Sequence, residues 1–370
     1  MTLMMSVKRM TILAVALAFG LVIQPARAAQ VESGFVYVMT NQPAGNTVIQ
    51  YVRASNGSLT EMGSASTSGL GGTGNGAGPL DPLGSQDSVF LSGDGTRLLV
   101  VNAGSNEISA LRAGSSGMTL LSKAASGGEF PNSVALYANL VYVLNAHGTP
   151  NVSGFRLDSN GVLHPIPGST WNLPGGTNAA PHDVVFSPDG ARLLVTEGGT
   201  NQIDIFAIGD DGLITSVTNQ ASPGGPFGLR FGRHGTVAVT EANSGALSTY
   251  QLTSEDILNV ISPSVPDGQM ASCWLSITVN GHTFVSNTGS GNLSSYQVSA
   301  DGTANVARAI AASITPGAPI DSALASDGSF LYVEDSARGN VFFFRVHGNN
   351  LAVIGFISGL PTTLQGIAAQ

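Results

Sequence analysis

Along this chain a short β-rich run ending in a polar residue, a turn and a second run recur seven times. The first runs end Val38-Met39-Thr40, Val100-Val101-Asn102, Val143-Leu144-Asn145, Val195-Thr196-Glu197, Val239-Thr240-Glu241, Val285-Ser286-Asn287 and Val333-Glu334-Asp335. Their last residues are 62, 43, 52, 44, 46 and 48 positions apart. Each is followed by a partner run, such as Ile203-Asp204-Ile205-Phe206, and then by a weaker one, as near Ile214-Thr215. Six are preceded by a further recurrent segment, for example Asp87-Ser88-Val89-Phe90-Leu91 or His182-Asp183-Val184-Val185-Phe186. Asp-Gly and Asn-Gly steps, such as Asp189-Gly190 and Asn280-Gly281, join these segments, as primed two-residue hairpin turns require.

Four antiparallel strands in each repeat of about 49 residues predict an all-β fold, a seven-bladed β-propeller. Nothing after residue 28 keeps helical periodicity over several turns, which excludes α/β barrels and doubly wound folds. The first blade lacks its preceding strand, and Leu364-Gln365-Gly366-Ile367-Ala368-Ala369 at the other end supplies it. The ring is therefore expected to close by the C-terminal strand joining the first blade, which hides otherwise reactive sheet edges.

The first 28 residues read differently. Lys8 and Arg9 precede an apolar run from Met10 to Ile23, and Ala26-Arg27-Ala28 gives the small-x-small pattern that a signal peptidase cuts. Residues 1–28 are thus read as a signal peptide and residues 29–370 as the propeller, with a Gly-rich loop insertion at 63–84. A periplasmic or secreted protein without a membrane span is expected. Cys273 is the only cysteine, so no internal disulfide exists.

Charge narrows the ligands. Removing Lys8, Arg9 and Arg27 leaves 11 basic residues against 23 acidic ones. Nucleic acid, which needs a basic footprint, is excluded as a partner, and phosphorylated ligands are disfavoured. Charged residues make up only 10% of the chain, so the surface is largely uncharged.

Strand geometry locates the candidate chemistry. The start of each innermost strand lies beside the end of the next strand, so two rings of residues share one mouth of the central channel. The inner ring comprises Gln365, Asp87, Asn132, His182, Phe227, Cys273 and Ile320, with Asp183, Trp274 and Asp321 one position on. The outer ring includes Asn145, Glu197 and Glu241, and loop residue His147 follows on the same face. Lactone or ester hydrolysis needs a base for water, a donor for the carbonyl oxygen and an acid for the leaving alkoxide. His182, Glu197 and Glu241 are the catalytic candidates. Asp87, Asn132, Asn145, His147, Asp183, Arg230, Trp274 and Asp321 are the substrate-binding candidates. The competing reading is structural: polar strand ends satisfy loop backbone groups, Arg230 pairs with a buried acid, and Cys273 is a buried small residue. The Gly-rich stretch either covers the channel mouth or is a tolerated loop. No zinc spacing, Gly-x-Ser-x-Gly elbow or calcium loop is found. No cofactor is called for, and a metal in the channel is left open.

The strand endings resemble the Tyr-Val-Thr-Asn propellers. The segment Pro181-His182-Asp183-Val184-Val185-Phe186-Ser187-Pro188-Asp189-Gly190, with Leu194-Val195-Thr196-Glu197 after it, resembles the lactonase propeller family. That family includes 6-phosphogluconolactonases and fungal carboxymuconate lactonizing enzymes. The resemblance spans the chain after residue 28 and implies seven blades and lactone hydrolysis or its reverse. Enzymes of the family often carry Pro-Arg-His in the next blade. Here the matching residues are Pro226-Phe227-Gly228, while Glu241 keeps the acidic position. Two functions follow: an exported lactonase-like hydrolase of a small lactone or carbohydrate-like ester, or a non-catalytic cell-envelope propeller that binds a protein partner or glycan.

Overall fold

The structure, a computed structural model, describes residues 32–75 and 78–370. The expected signal peptide lies outside the described residues. Seven antiparallel sheets follow one another, six of four strands and the third of five. In the first, Ile367–Ala369 pairs with Glu32–Met39, so the last strand of the chain is the innermost strand of the first blade. The innermost strands contact one another in sequence order around the ring, and this C-terminal strand touches both the seventh and the second blade. The seven-bladed ring closed by the C-terminal strand is as the repeat pattern predicts.

The apolar runs are continuous because both faces of the second strands, counted from the channel, are buried. In Glu32–Met39, Val36 and Val38 pack toward the seventh blade, beside Tyr332 and Val341. Tyr37 and Met39 pack toward the second blade, beside Leu98 and Val100. Successive side chains point to opposite faces, so a strand between two blades must be apolar at every position. Outermost strands such as Ile214–Ala221 bury only part of one face and are mostly polar.

One irregularity recurs and sets the channel lip. The pairing of inner with second strands slips after Pro131, Pro181, Pro226, Ser272 and Pro319. Each slip is a bulge that takes Asn132, His182, Phe227, Cys273 or Ile320 out of the ladder. These are inner-ring positions named from the sequence. The proline marks the spot in four of the five blades, since it has no N–H to give a ladder.

The insertion needs one correction. Residues 63–66 are not loop; they complete the outer strand Leu59–Ser66. The far end of the insertion lies at the channel mouth.

Candidate functional site

The mouth is filled by Asp81–Gln86. Ser85 and Gln86 are wholly buried. Gln86 N donates to His182 O at 3.0 Å, and Gln86 Oε1 accepts from Leu275 N at 2.9 Å. Ser85 Oγ donates to Asn132 O at 2.6 Å. Its carbonyl accepts from Trp274 Nε1 at 2.7 Å and from Gln365 Nε2 at 3.0 Å. These partners belong to the first, third, fourth and sixth blades, so the segment lies across the axis and is anchored on several sides. Hydrogen bonds satisfy most of the backbone it buries, as a dry interior requires.

His182 is one of those anchors. Its Nδ1 lies 2.6 Å from Gly84 O. A carbonyl only accepts, so Nδ1 carries the proton and Nε2 the lone pair. Nε2 faces Gly198, where a Cβ would stand 2.4 Å away. Phe227 stacks on the ring at 4.2 Å between centroids. Burial pushes the imidazole pKa down to about 4, against the pull of the Gly84 carbonyl, so it is neutral at pH 7.

Neither glutamate joins it. Glu197 Oε1 accepts from Gly175 N at 3.0 Å, and Oε2 accepts from Thr200 Oγ1. Glu241 Oε1 accepts from Ser248 Oγ at 2.6 Å, and Oε2 from Ser264 and Ser244 Oγ at 2.7 and 2.9 Å. Asn132 donates to Pro181 O, and Asn145 to Ser126 O and Asn151 Oδ1. Trp274 is buried edge-on against Phe227. Burial raises the Cys273 thiol well above its usual value, which removes it as a nucleophile at neutral pH.

Arg230, Asp87, Asp183 and Asp321 meet deeper in the channel. Arg230 Nη2 and Nη1 grip Asp87 at 2.6 and 2.8 Å, and Nη1 lies 3.4 Å from Asp183 Oδ2. The pair joins blades 143 residues apart. Asp183 also accepts from Leu229 N at 2.8 Å. Burial, with Asp87 nearby, raises the Asp183 carboxyl well above its usual value and Asp321 to about 8, against the pull of Arg230. Glu334 is likewise raised by burial, and Asp321 adds to the shift. Among the described residues, no group of three or more His, Cys, Asp or Glu is arranged to hold a metal ion. No described helix is long and apolar enough to cross a membrane.

A hollow of about 430 Å³ opens on the mouth face, lined by Leu70, Gly72, Asn106, Glu129, Phe130 and His147 among others. His147 and Glu129 sit opposite each other on adjacent strands, and Phe130 stacks on the imidazole at 4.2 Å. Asn75 Nδ2 donates to Leu83 O at 2.8 Å, which turns its Oδ1 to His147 Nε2 at 3.0 Å. Nε2 is therefore the donor and Nδ1 keeps the lone pair. Burial lowers this imidazole pKa, and Glu129 opposes the shift. Asn106 Oδ1 accepts from Phe130 N at 2.8 Å, which leaves its Nδ2 as a donor. Of this hollow, the sequence pointed only to His147. Glu129, which opens an inner strand, was the readable signal.

Among curated proteins none matches the sequence. Among solved structures, a Lactobacillus plantarum protein superposes with a TM-score of 0.73 at 18% identity, covering 91% of this chain and 99% of its own. A Bacteroides fragilis protein with a provisional 6-phosphogluconolactonase assignment gives 0.71 at 17% identity, covering 92% and 99%. The periplasmic gluconolactonase of Pseudomonas aeruginosa gives 0.69 at 17%, covering 90% and 99%. At such identities the likeness establishes the fold alone. The profile of the lactonase family of seven-bladed β-propellers matches residues 89–352, and the chain belongs to that family.

Proposed function

We propose that the protein is an exported hydrolase of small lactones or sugar-derived esters, acting in the mouth-face hollow beside His147. The observation that carries this reading is the His147 ring: its tautomer is set by Asn75, its Nδ1 lone pair is free, and Glu129 stands beside it. In this mechanism His147 Nδ1 takes a proton from water as that water attacks the carbonyl carbon. Glu129 balances the imidazolium charge, and the Asn106 amide donates to the carbonyl oxygen as it becomes negative. The imidazolium then returns the proton to the leaving alkoxide. The hollow has no Lys or Arg in its lining, which favours uncharged substrates over phosphorylated ones. The test is hydrolysis of δ-gluconolactone, γ-butyrolactone and p-nitrophenyl acetate, with and without chelator. His147→Gln should lower kcat/KM about 100-fold or more, while His182→Gln, checked for folding, should leave it within a few-fold. The wild-type pH profile should lose rate on an acid limb below the usual histidine value. No turnover of any substrate, or an unchanged His147→Gln, would sink the proposal.

A second reading has its own support. The filled mouth and the committed glutamates suit a non-catalytic cell-envelope propeller. Retention of a glycan or protein partner without turnover of the panel would favour it.

A further inference from the structure

The end of the channel away from His182 opens into a cavity of about 300 Å³. Its walls are the later parts of the inner strands, with Phe90, Leu91, Ile277 and Leu324 among the lining side chains. Asp87 and Arg230 line it too. Asp87 precedes the second blade's innermost strand and Leu91 ends it, so the ion pair forms the floor of the well. Asp81–Gln86 lies beyond that floor, at the opposite end. The side chains of Arg230 and Asp87 are 23% and 16% exposed, whereas Asp183, Asp321 and Glu334 around them are buried. Water therefore reaches this pair through the cavity.

Arg230 is only half used. A guanidinium presents five N–H groups, arranged along two edges that can each grip a pair of oxygens. Asp87 occupies the end-on edge, with Nη1 and Nη2. Nη1 is further committed to Leu229 O at 2.8 Å and to Asp183 Oδ2. Nε–H and the remaining Nη2–H, which run parallel along the side edge, take part in none of these bonds. Arg230, Asp87, Ser276 and Ser322 line the well beside Phe90, Leu91, Ile277 and Leu324, and a few polar groups among apolar side chains are the usual composition of a small-molecule site.

We infer that this cavity is a second ligand site, separate from the hollow beside His147, and that it takes a small monocarboxylate with an apolar body. The two carboxylate oxygens match the Nε/Nη2 edge of Arg230, and the body lies against Phe90, Leu91, Ile277 and Leu324. An alcohol brings only one oxygen to a two-pronged donor. An ammonium is repelled by the guanidinium, and Asp87, the acid it would seek, is already held by two Nη–H groups of Arg230. A phosphate brings a second negative charge next to Asp87. At about 30 Å³ per water-sized group the cavity holds about ten non-hydrogen atoms, which suits acids of six to nine carbons.

The test titrates the intact folded protein with hexanoate, 1-hexanol and hexylamine at pH 7 and low salt, read by calorimetry or ligand-observed NMR. Hexanoate should bind saturably and about tenfold or more tighter than hexanol, and hexylamine should not bind. Arg230→Lys keeps the charge but not the fork, and should weaken hexanoate by about tenfold. Arg230 also ties blades together, so Ala323→Phe and, separately, Ala369→Phe fill the well without touching the ion pair. Either should abolish hexanoate binding while the thermal transition stays cooperative. Three results would overturn the inference: no saturation with hexanoate up to about 50 mM, a Kd far weaker than a useful site; equal binding of hexanol; or hexanoate binding that survives both phenylalanine variants. Loss of hydrolysis in the lactone panel would leave this inference standing, since the two sites share no residue.

Discussion

The two ends of the central channel are made by the same seven inner strands and are filled in opposite ways. At the mouth end the chain fills the space itself: Asp81–Gln86 takes up hydrogen bonds from His182, Trp274 and Gln365, and the histidine there is held neutral. At the other end the space stays open, and the Arg230–Asp87 pair faces water. The mouth end holds His182, yet that histidine anchors a plug. The difference teaches that bringing a polar residue to the channel mouth and leaving it accessible there are separate properties. His182 and Glu241 both stand near the mouth, but their hydrogen-bonding capacity goes to Gly84 and to three serines.

Three measurements would break or sharpen this contrast. The largest loss of stability is expected at the open end. Arg230→Met leaves Asp87 and Asp183 without their cation and should cost about 3 kcal/mol in urea unfolding, the scale for breaking a buried pair. His182→Phe at the mouth should cost clearly less, and the reverse ranking would mean that the plug, not the ion pair, is the main tie across the channel.

The next effect is in the pH dependence, where the two ends should have opposite signs. Asp321 is raised to about 8 in the folded state, so its contribution is fully present below about 4 and is lost as pH rises toward 8. His182 is lowered to about 4, so its contribution is present above 6.5 and is lost as pH falls toward 4. Asp321→Asn should therefore flatten the alkaline decline, gaining roughly 4 kcal/mol at pH 8 relative to pH 5, while His182→Phe flattens the acid decline. Equal slopes in wild type and Asp321→Asn between pH 5 and 8 would show that Asp321 does not titrate there.

The smallest effect tests the plug. Gln86→Ala removes the acceptor of the buried Leu275 N–H and should cost about 1 kcal/mol. It should also speed hydrogen exchange at Leu275 while leaving Arg230 and its neighbours protected as before. Unchanged exchange at Leu275 would mean that the segment does not depend on that bond.

The sequence alone determined the blades. Each second strand is buried on both faces, so its apolar run is continuous, its polar end recurs at the lip, and its repeat survives as a local pattern. Ring closure was equally legible, because the first blade visibly lacks a strand and the last segment supplies one. Even the lip positions His182, Asn132, Phe227 and Cys273 could be named from their spacing. Tertiary structure alone decided what those residues do. Gly84 meets His182 across 98 positions, Trp274 meets Ser85 across 189, and Arg230 meets Asp87 across 143. Such pairings depend on where a ring brings distant segments together and on which space remains empty, and neither quantity is written in the local order of polar and apolar residues.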